Sequence, residues 1–192
     1  MNRMDGEYWF SKPYADAVAR LRVPFGFVLL AAFALLSQPS IQSIEIGLPI
    51  AVLGLILRAW ATGHLSKNQN LATSGPYSYI RNPLYVGTLI VAAGIVIACR
   101  NWVLAAIFAL VFLLVYLPVI ELEEQHLRKI FPEYAAYATR VQRLFPASRW
   151  PGEGVRFSWA LFMKNEEYKA LLGFLLAAAW IAAKLWWRQT HG

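Results

Sequence analysis

The chain has 192 residues, 58% hydrophobic and 15% charged, with a formal net charge of +7 and one cysteine. Soluble domains carry about 25% charged residues and fewer apolar ones, so this composition excludes an ordinary soluble fold. A single cysteine excludes an intrachain disulfide and a cysteine metal cluster, and the scattered basic residues lack the one-faced patch of a nucleic-acid binder.

The apolar residues fall in runs of the kind that cross a bilayer, which takes about 20 residues per helix. The chain therefore reads as a single multi-pass membrane domain over 1–192, all α-helical, with five spans. The alternation of a membrane β-barrel is absent, and helices satisfy their own backbone in lipid. Residues 1–43 form an N-terminal segment and a short first span at 23–37. The first 22 residues carry Asp5, Glu7 and Asp16 and no short apolar core, so a cleavable signal is not expected. The second span is 44–61, the third 84–99 and the fourth 102–120. Only Arg100 and Asn101 separate the third from the fourth, which predicts a tight antiparallel hairpin. Residues 147–192 form an interfacial stretch, rich in Trp150, Phe157, Trp159 and Phe162, and a last span at 171–187.

Lysine and arginine set the orientation of such a chain. Segment 1–22 holds Arg3, Lys12, Arg20 and Arg22, the 62–83 loop holds Lys67 and Arg81, and segment 121–167 holds seven basic residues. The connection 38–43 has none. The basic segments are thus expected in the cytoplasm, where they also meet anionic headgroups.

Two of those segments carry the unusual polar residues. The first, HLSKNQNLATSGPYSYIRNPLY, runs from His64 to Tyr85. Gly75-Pro76 marks a turn and Pro83 suits the first position of a helix, whose opening N–H groups favour an anion or a carbonyl. Tyr77, Tyr79 and Tyr85 could stack on a flat ring or face a cation. The same residues equally suit interfacial anchoring. The second segment, ELEEQHLRKIFPEYAAYATRVQRLFP, runs from Glu121 to Pro146. Glu121 and Glu124 share a helix face, Glu123 points elsewhere, and acids at the end of a span call for a cation. A solvated helix running on outward is the plainer alternative. Pro132-Glu133 opens a short amphipathic helix bearing Tyr134, Tyr137 and Val141. His64, His126 and His191 are scattered, so packing or solvated roles and no metal site are expected.

These two blocks together resemble the isoprenylcysteine carboxyl methyltransferase family and its bacterial membrane relatives. Gly75, Tyr77, Arg81, Pro83 and Tyr85 match the family's first block. Glu123, Glu124, Leu127, Phe131, Tyr134, Tyr137, Arg143 and Pro146 match its second. The likeness covers about 44–146, the expected methyltransferase core. It implies a membrane-embedded enzyme that takes a methyl group from S-adenosyl-L-methionine and releases S-adenosyl-L-homocysteine. By the same likeness Gln69, Asn70, Leu71, Ala72 and Tyr77 line the cofactor, Asn82, Pro83, Leu84 and Tyr85 continue that wall, and Glu123 holds the amino group. Arg81 is the candidate for a carboxylate, and Glu121 for orienting the acceptor or taking its proton. The acceptor is expected to be a lipophilic small molecule or lipid entering from the bilayer, with the site facing the cytoplasm. The sequence departs from the family at Asn82, where a histidine is usual, and at Val119, where eukaryotic members carry an arginine. Lacking that cation, the site is expected to favour a neutral or amine acceptor over a carboxylate. The competing reading is an NADPH-dependent sterol or steroid reductase, which shares the Arg-x-Pro-x-Tyr block but needs several cations for a diphosphate. A non-enzymatic membrane scaffold is the third.

Overall fold

The computed structural model describes residues 10–146, 148–151 and 154–191, so Arg3 and parts of the 1–22 and 147–165 segments lie outside the described residues. The helices are α1 (Lys12–Leu36), α2 (Ile41–Thr62), α3 (Pro83–Cys99), α4 (Trp102–Val111), α5 (Leu117–Ile130), α6 (Tyr134–Arg140), α7 (Trp159–Lys164) and α8 (Tyr168–His191). No strand forms among the described residues; the one β-bridge pairs Ile80 with Gln142. The protein is an all-α membrane protein.

The expected count of five spans is approximate. Among the described residues three helices are long and apolar enough to cross a membrane: α2, α8 and a continuous 29-residue helix over Trp102–Ile130. The first helix begins earlier than 23 and bends by 51° between Leu21 and Pro24, giving a fourth span if its halves count as one. Pro24 has no N–H, and its ring crowds the carbonyl of Arg20, so the bend has a local cause. Helix α3 has only 17 residues. At about 1.5 Å per residue that is some 25 Å, short of the roughly 30 Å hydrocarbon core.

Helices α2 and α3 pack so closely that backbone touches backbone. A Cβ on Gly47 would lie 2.4 Å from the Gly94 carbonyl oxygen, and one on Gly54 would lie 2.6 Å from that of Gly87. Small residues at a seven-residue spacing on both helices permit this approach, as they do generally between helices in lipid.

The fourth span does not stop at residue 120. Helices α4 and α5 are joined by a π turn over Phe112–Tyr116, in which the Leu117 N–H reaches back five residues to Phe112. Pro118 explains it, since its ring cannot coexist with a regular α-helical Leu114 carbonyl four residues before. Tyr14 of α1 donates its hydroxyl to that displaced carbonyl at 2.6 Å. Glu121, Glu123 and Glu124 therefore stand inside a helix, not at its C-terminus. The last turn instead carries Arg128 and Lys129, as the helix dipole favours.

The chain's polar segments gather at one end of the bundle. At the opposite end Gln38 donates its N–H to Cys99 at 2.7 Å, Asn101 bonds the Leu36 carbonyl at 2.7 Å, and Lys184 caps the carbonyls of Ala34 and Leu35. Ala98, Cys99, Leu104 and Ile181 form the core there. Arg100 makes the expected hairpin turn in a left-handed conformation, φ 50°.

Candidate functional site

The polar end encloses a cavity of about 770 Å³, within the usual range for a small-molecule or cofactor site. Three strands of chain converge on it. The first is the loop after α2, which contributes Lys67, Asn68, Asn70, Leu71 and Ala72. The second is the start of α3, preceded by a 3₁₀ turn over Gly75–Ser78. Gly75 has φ +57°, and a Cβ there would meet the His64 ring at 2.6 Å, so only glycine fits both demands. The third is the π turn and α5, which present Val115, Tyr116, Val119, Glu123, His126 and Leu127.

The segment before α3 is laced to the chain after α6. Arg81 and Asn82 donate their N–H groups to Gln142 and Arg143 at 2.9 and 3.2 Å, and Trp150 donates to Ser78 at 2.8 Å. Tyr137 donates its hydroxyl to the Tyr77 carbonyl at 2.6 Å. Tyr134, Tyr137 and Val141 form a buried cluster beneath, with Leu71, Leu127 and Trp150 against it. Tyr137→Phe, which removes that donor and leaves the carbonyl unbonded, is expected to lower stability by about 1 kcal/mol. Thermal unfolding of the detergent-purified variant checks it.

The acid cluster divides its labour. Glu124 is buried and takes Arg81 at 3.1 Å, Arg143 at 2.8 Å and the Asn82 amide at 2.9 Å. This is the cation the acids call for, and it ties α3, α5 and the chain after α6 into one unit. Asparagine at 82 suits that place because its amide can donate to Glu124 and to the Arg143 carbonyl together. Glu123, one residue earlier and about 100° around the helix, lies in the exposed cavity mouth and accepts from the Tyr85 hydroxyl at 2.9 Å.

Of the residues expected at a cofactor, Asn70, Leu71, Ala72, Tyr77, Asn82, Pro83, Leu84, Tyr85 and Glu123 all line the cavity, and so does Arg81. Gln69 and Glu121 do not. Gln69 accepts from Ser66 at 2.7 Å, and buried Glu121 accepts from the Phe10 N–H at 3.3 Å, toward α1. Tyr79 points away and lies under Arg149, 5.8 Å from guanidinium to ring centroid. Val119 lines the cavity, and no cation occupies its place. Sequence reading missed Arg58, Lys67, Thr88, Tyr116 and His126 as wall residues. A charge inside an apolar run was the available signal for Arg58.

Burial sets the chemistry of the wall. It pushes the phenols of Tyr77 and Tyr137 well above their ordinary range and that of Tyr134 to about 12. All three are neutral at working pH and act as hydrogen-bonding rings, not as bases. Burial also lowers the pKa of His64, whose Nδ1 lies 3.0 Å from Ser74 Oγ. Arg81 sits beside Tyr134 without a well-formed hydrogen bond, so Arg81 Nε and Tyr134 Oη are both buried and unsatisfied. Among the described residues no group of three His, Cys, Asp or Glu side chains could hold a metal ion.

A model of the phospholipid methyltransferase family matches residues 44–134. Over 123 residues the chain is 40% identical to the cobalt-zinc-cadmium resistance protein CzcN of Cupriavidus metallidurans, covering 62% of this chain and 54% of that one. It is 39% identical over 103 residues to the nickel-cobalt-cadmium resistance protein NccN of Alcaligenes xylosoxydans xylosoxydans, covering 53% and 47%. The chain thus spans about half the length of these curated relatives. No solved structure matches it significantly.

Proposed function

We propose, from the match of residues 44–134 to the phospholipid methyltransferase family model, an integral membrane methyltransferase that uses S-adenosyl-L-methionine on a lipophilic acceptor entering from the bilayer. The observation that carries this is a single one. Both blocks of the sequence pattern, Tyr77 to Tyr85 and Glu123 to Tyr137, line the same cavity.

S-adenosyl-L-methionine would supply a methyl group already activated by its sulfonium. What remains for the protein is alignment and exclusion of water. Glu123, steadied by Tyr85, answers an ammonium by a charge-assisted bond. Lys67, exposed at the same mouth, suits a carboxylate better than Arg81, which Glu124 already holds. The neutral faces of Tyr77 and Tyr116 suit a sulfonium and an adenine. Arg58 and Arg81 are both bonded to glutamates, so a carboxylate acceptor would have to displace one of them. Turnover of labelled cofactor is therefore expected to favour an amine-headed or neutral amphiphile over a farnesylcysteine acid, and clear preference for the acid refutes this.

Calorimetric titration of the detergent-purified protein with S-adenosylhomocysteine and, separately, NADPH tests the cofactor. Saturable binding of NADPH alone would transfer the reading to a reductase. The site is proposed to face the cytoplasm. Cysteine labelling in cells, in a Cys99-free background, is expected to find positions 68 and 150 inside and position 40 outside; labelling of position 68 from outside removes that orientation.

A further inference from the structure

Arg58 is a cation within the membrane-crossing helix α2, a place where ionisable groups are costly unless they have a task. Its Nε and Nη2 donate to the two carboxylate oxygens of Glu167 at 2.7 and 3.0 Å, and its Nη1 to Thr88 Oγ1 at 2.5 Å. Glu167 is only 7% exposed and comes from the turn just before α8. The close approach at Gly87 makes this possible, since the Arg58 stem lies where a Cβ on Gly87 would be.

Arg58 and Thr88 line the main cavity and also a second hollow of about 270 Å³ between α2, α3 and α8. Beyond that shared pair the hollow is apolar, walled by Leu55, Val91, Ile95, Phe174 and Ala177. Its α8 wall is largely uncovered, with only 6% of the apolar window of α8 buried. At roughly 30 Å³ for a group the size of a water molecule, the hollow has room for a short stretch of one hydrocarbon chain.

We propose that this hollow binds one hydrocarbon chain of the methyl acceptor, whose headgroup reaches the main cavity across the Arg58–Glu167 pair. The identity of the chain's owner as a methyl acceptor rests on the proposed function; the chain site itself does not. The shared wall explains the position of the pair. A headgroup passing from the hollow to the cavity meets the shared wall of Arg58 and Thr88, and a fixed, mutually neutralised ion pair gives it hydrogen-bonding partners there without a bare charge. Apolar walls on one side and a polar cavity on the other sort the two halves of an amphiphile.

Gly173 lines the hollow, and a Cβ built there meets nothing within 4 Å. Gly173→Phe and Gly173→Leu can therefore fill the space without displacing backbone. The probe is a long-chain primary alkylamine with a terminal diazirine, photolysed on the full-length protein in lipid nanodiscs. Labelling is expected at the lining residues Leu55, Val91, Ile95, Phe174 and Ala177, falling at least tenfold in Gly173→Phe and less in Gly173→Leu. S-adenosylhomocysteine binding by calorimetry is expected to stay unchanged in both. Label spread over the outward residues Leu172, Leu175 and Leu176, with equal yield in Gly173→Phe, would overturn the proposal. Groove labelling that responds to the variants in a protein that binds no S-adenosylhomocysteine upholds the chain site and refutes the methyltransferase reading.

Discussion

Glu124→Ala is expected to loosen the whole polar end of the protein. The side chains of Arg81 and Arg143 are 13% and 20% exposed, and both aim at the Glu124 carboxylate. Removing it leaves two mostly buried cations facing one another and an asparagine amide with one acceptor fewer. Breaking a buried ion pair from one side costs about 3–5 kcal/mol. In a chain of this length that corresponds to a fall of about 10 °C or more in melting temperature. Binding of S-adenosylhomocysteine should weaken with it, because Arg81 to Tyr85 form one wall of the cavity. Glu124→Gln keeps the shape and loses the charge, so it should fall between. A Glu124→Ala protein that melts within a degree of the parent would show that the cluster does not hold this end together.

Glu123→Gln is expected to act in the opposite sense, on the ligand and not on the fold. Glu123 lies in the exposed mouth of the cavity, hydrogen-bonded to Tyr85. A charged hydrogen bond to an ammonium contributes about 1.5–3 kcal/mol. Water competes at an exposed position, so the lower end is expected, roughly a tenfold rise in Kd for S-adenosylhomocysteine. Melting temperature without ligand should scarcely move. The contrast between the neighbouring variants is the sharper result: Glu124 governs stability, Glu123 affinity. Normal binding by a folded Glu123→Gln protein removes Glu123 from the site.

What the sequence makes legible follows from how each feature is encoded. Spans are written in contiguous apolar residues, so 44–61 and 171–187 fall inside α2 and α8. The start of α3 at Pro83 is equally local, since a proline both permits a first turn and forbids a continuing one. The cavity is not local. Arg81 and Glu124 are 43 residues apart, and Arg58 and Glu167 are 109 apart. Nothing in either neighbourhood announces the partner, although the cost of an isolated charge announces that one exists. That Glu123 points away from Glu121 and Glu124 was legible from the helix period; which bearing meets the arginines and which the cavity was not. Two adjacent acids differ only in phase around the helix, and that phase depends on where the helix is irregular.

That irregularity has a consequence for how the chain tolerates change. A π turn holds one more residue than the α-helical turn it replaces, so everything beyond it is rotated by about 100° relative to an unbroken helix. Every acid in α5 takes its compass bearing from Phe112–Tyr116, a stretch of five lipid-level residues without a charge. A one-residue deletion there, combined with Pro118→Ala, would heal the helix while swinging Glu124 off its arginines. The reading frame of this apolar stretch has to be kept to the residue.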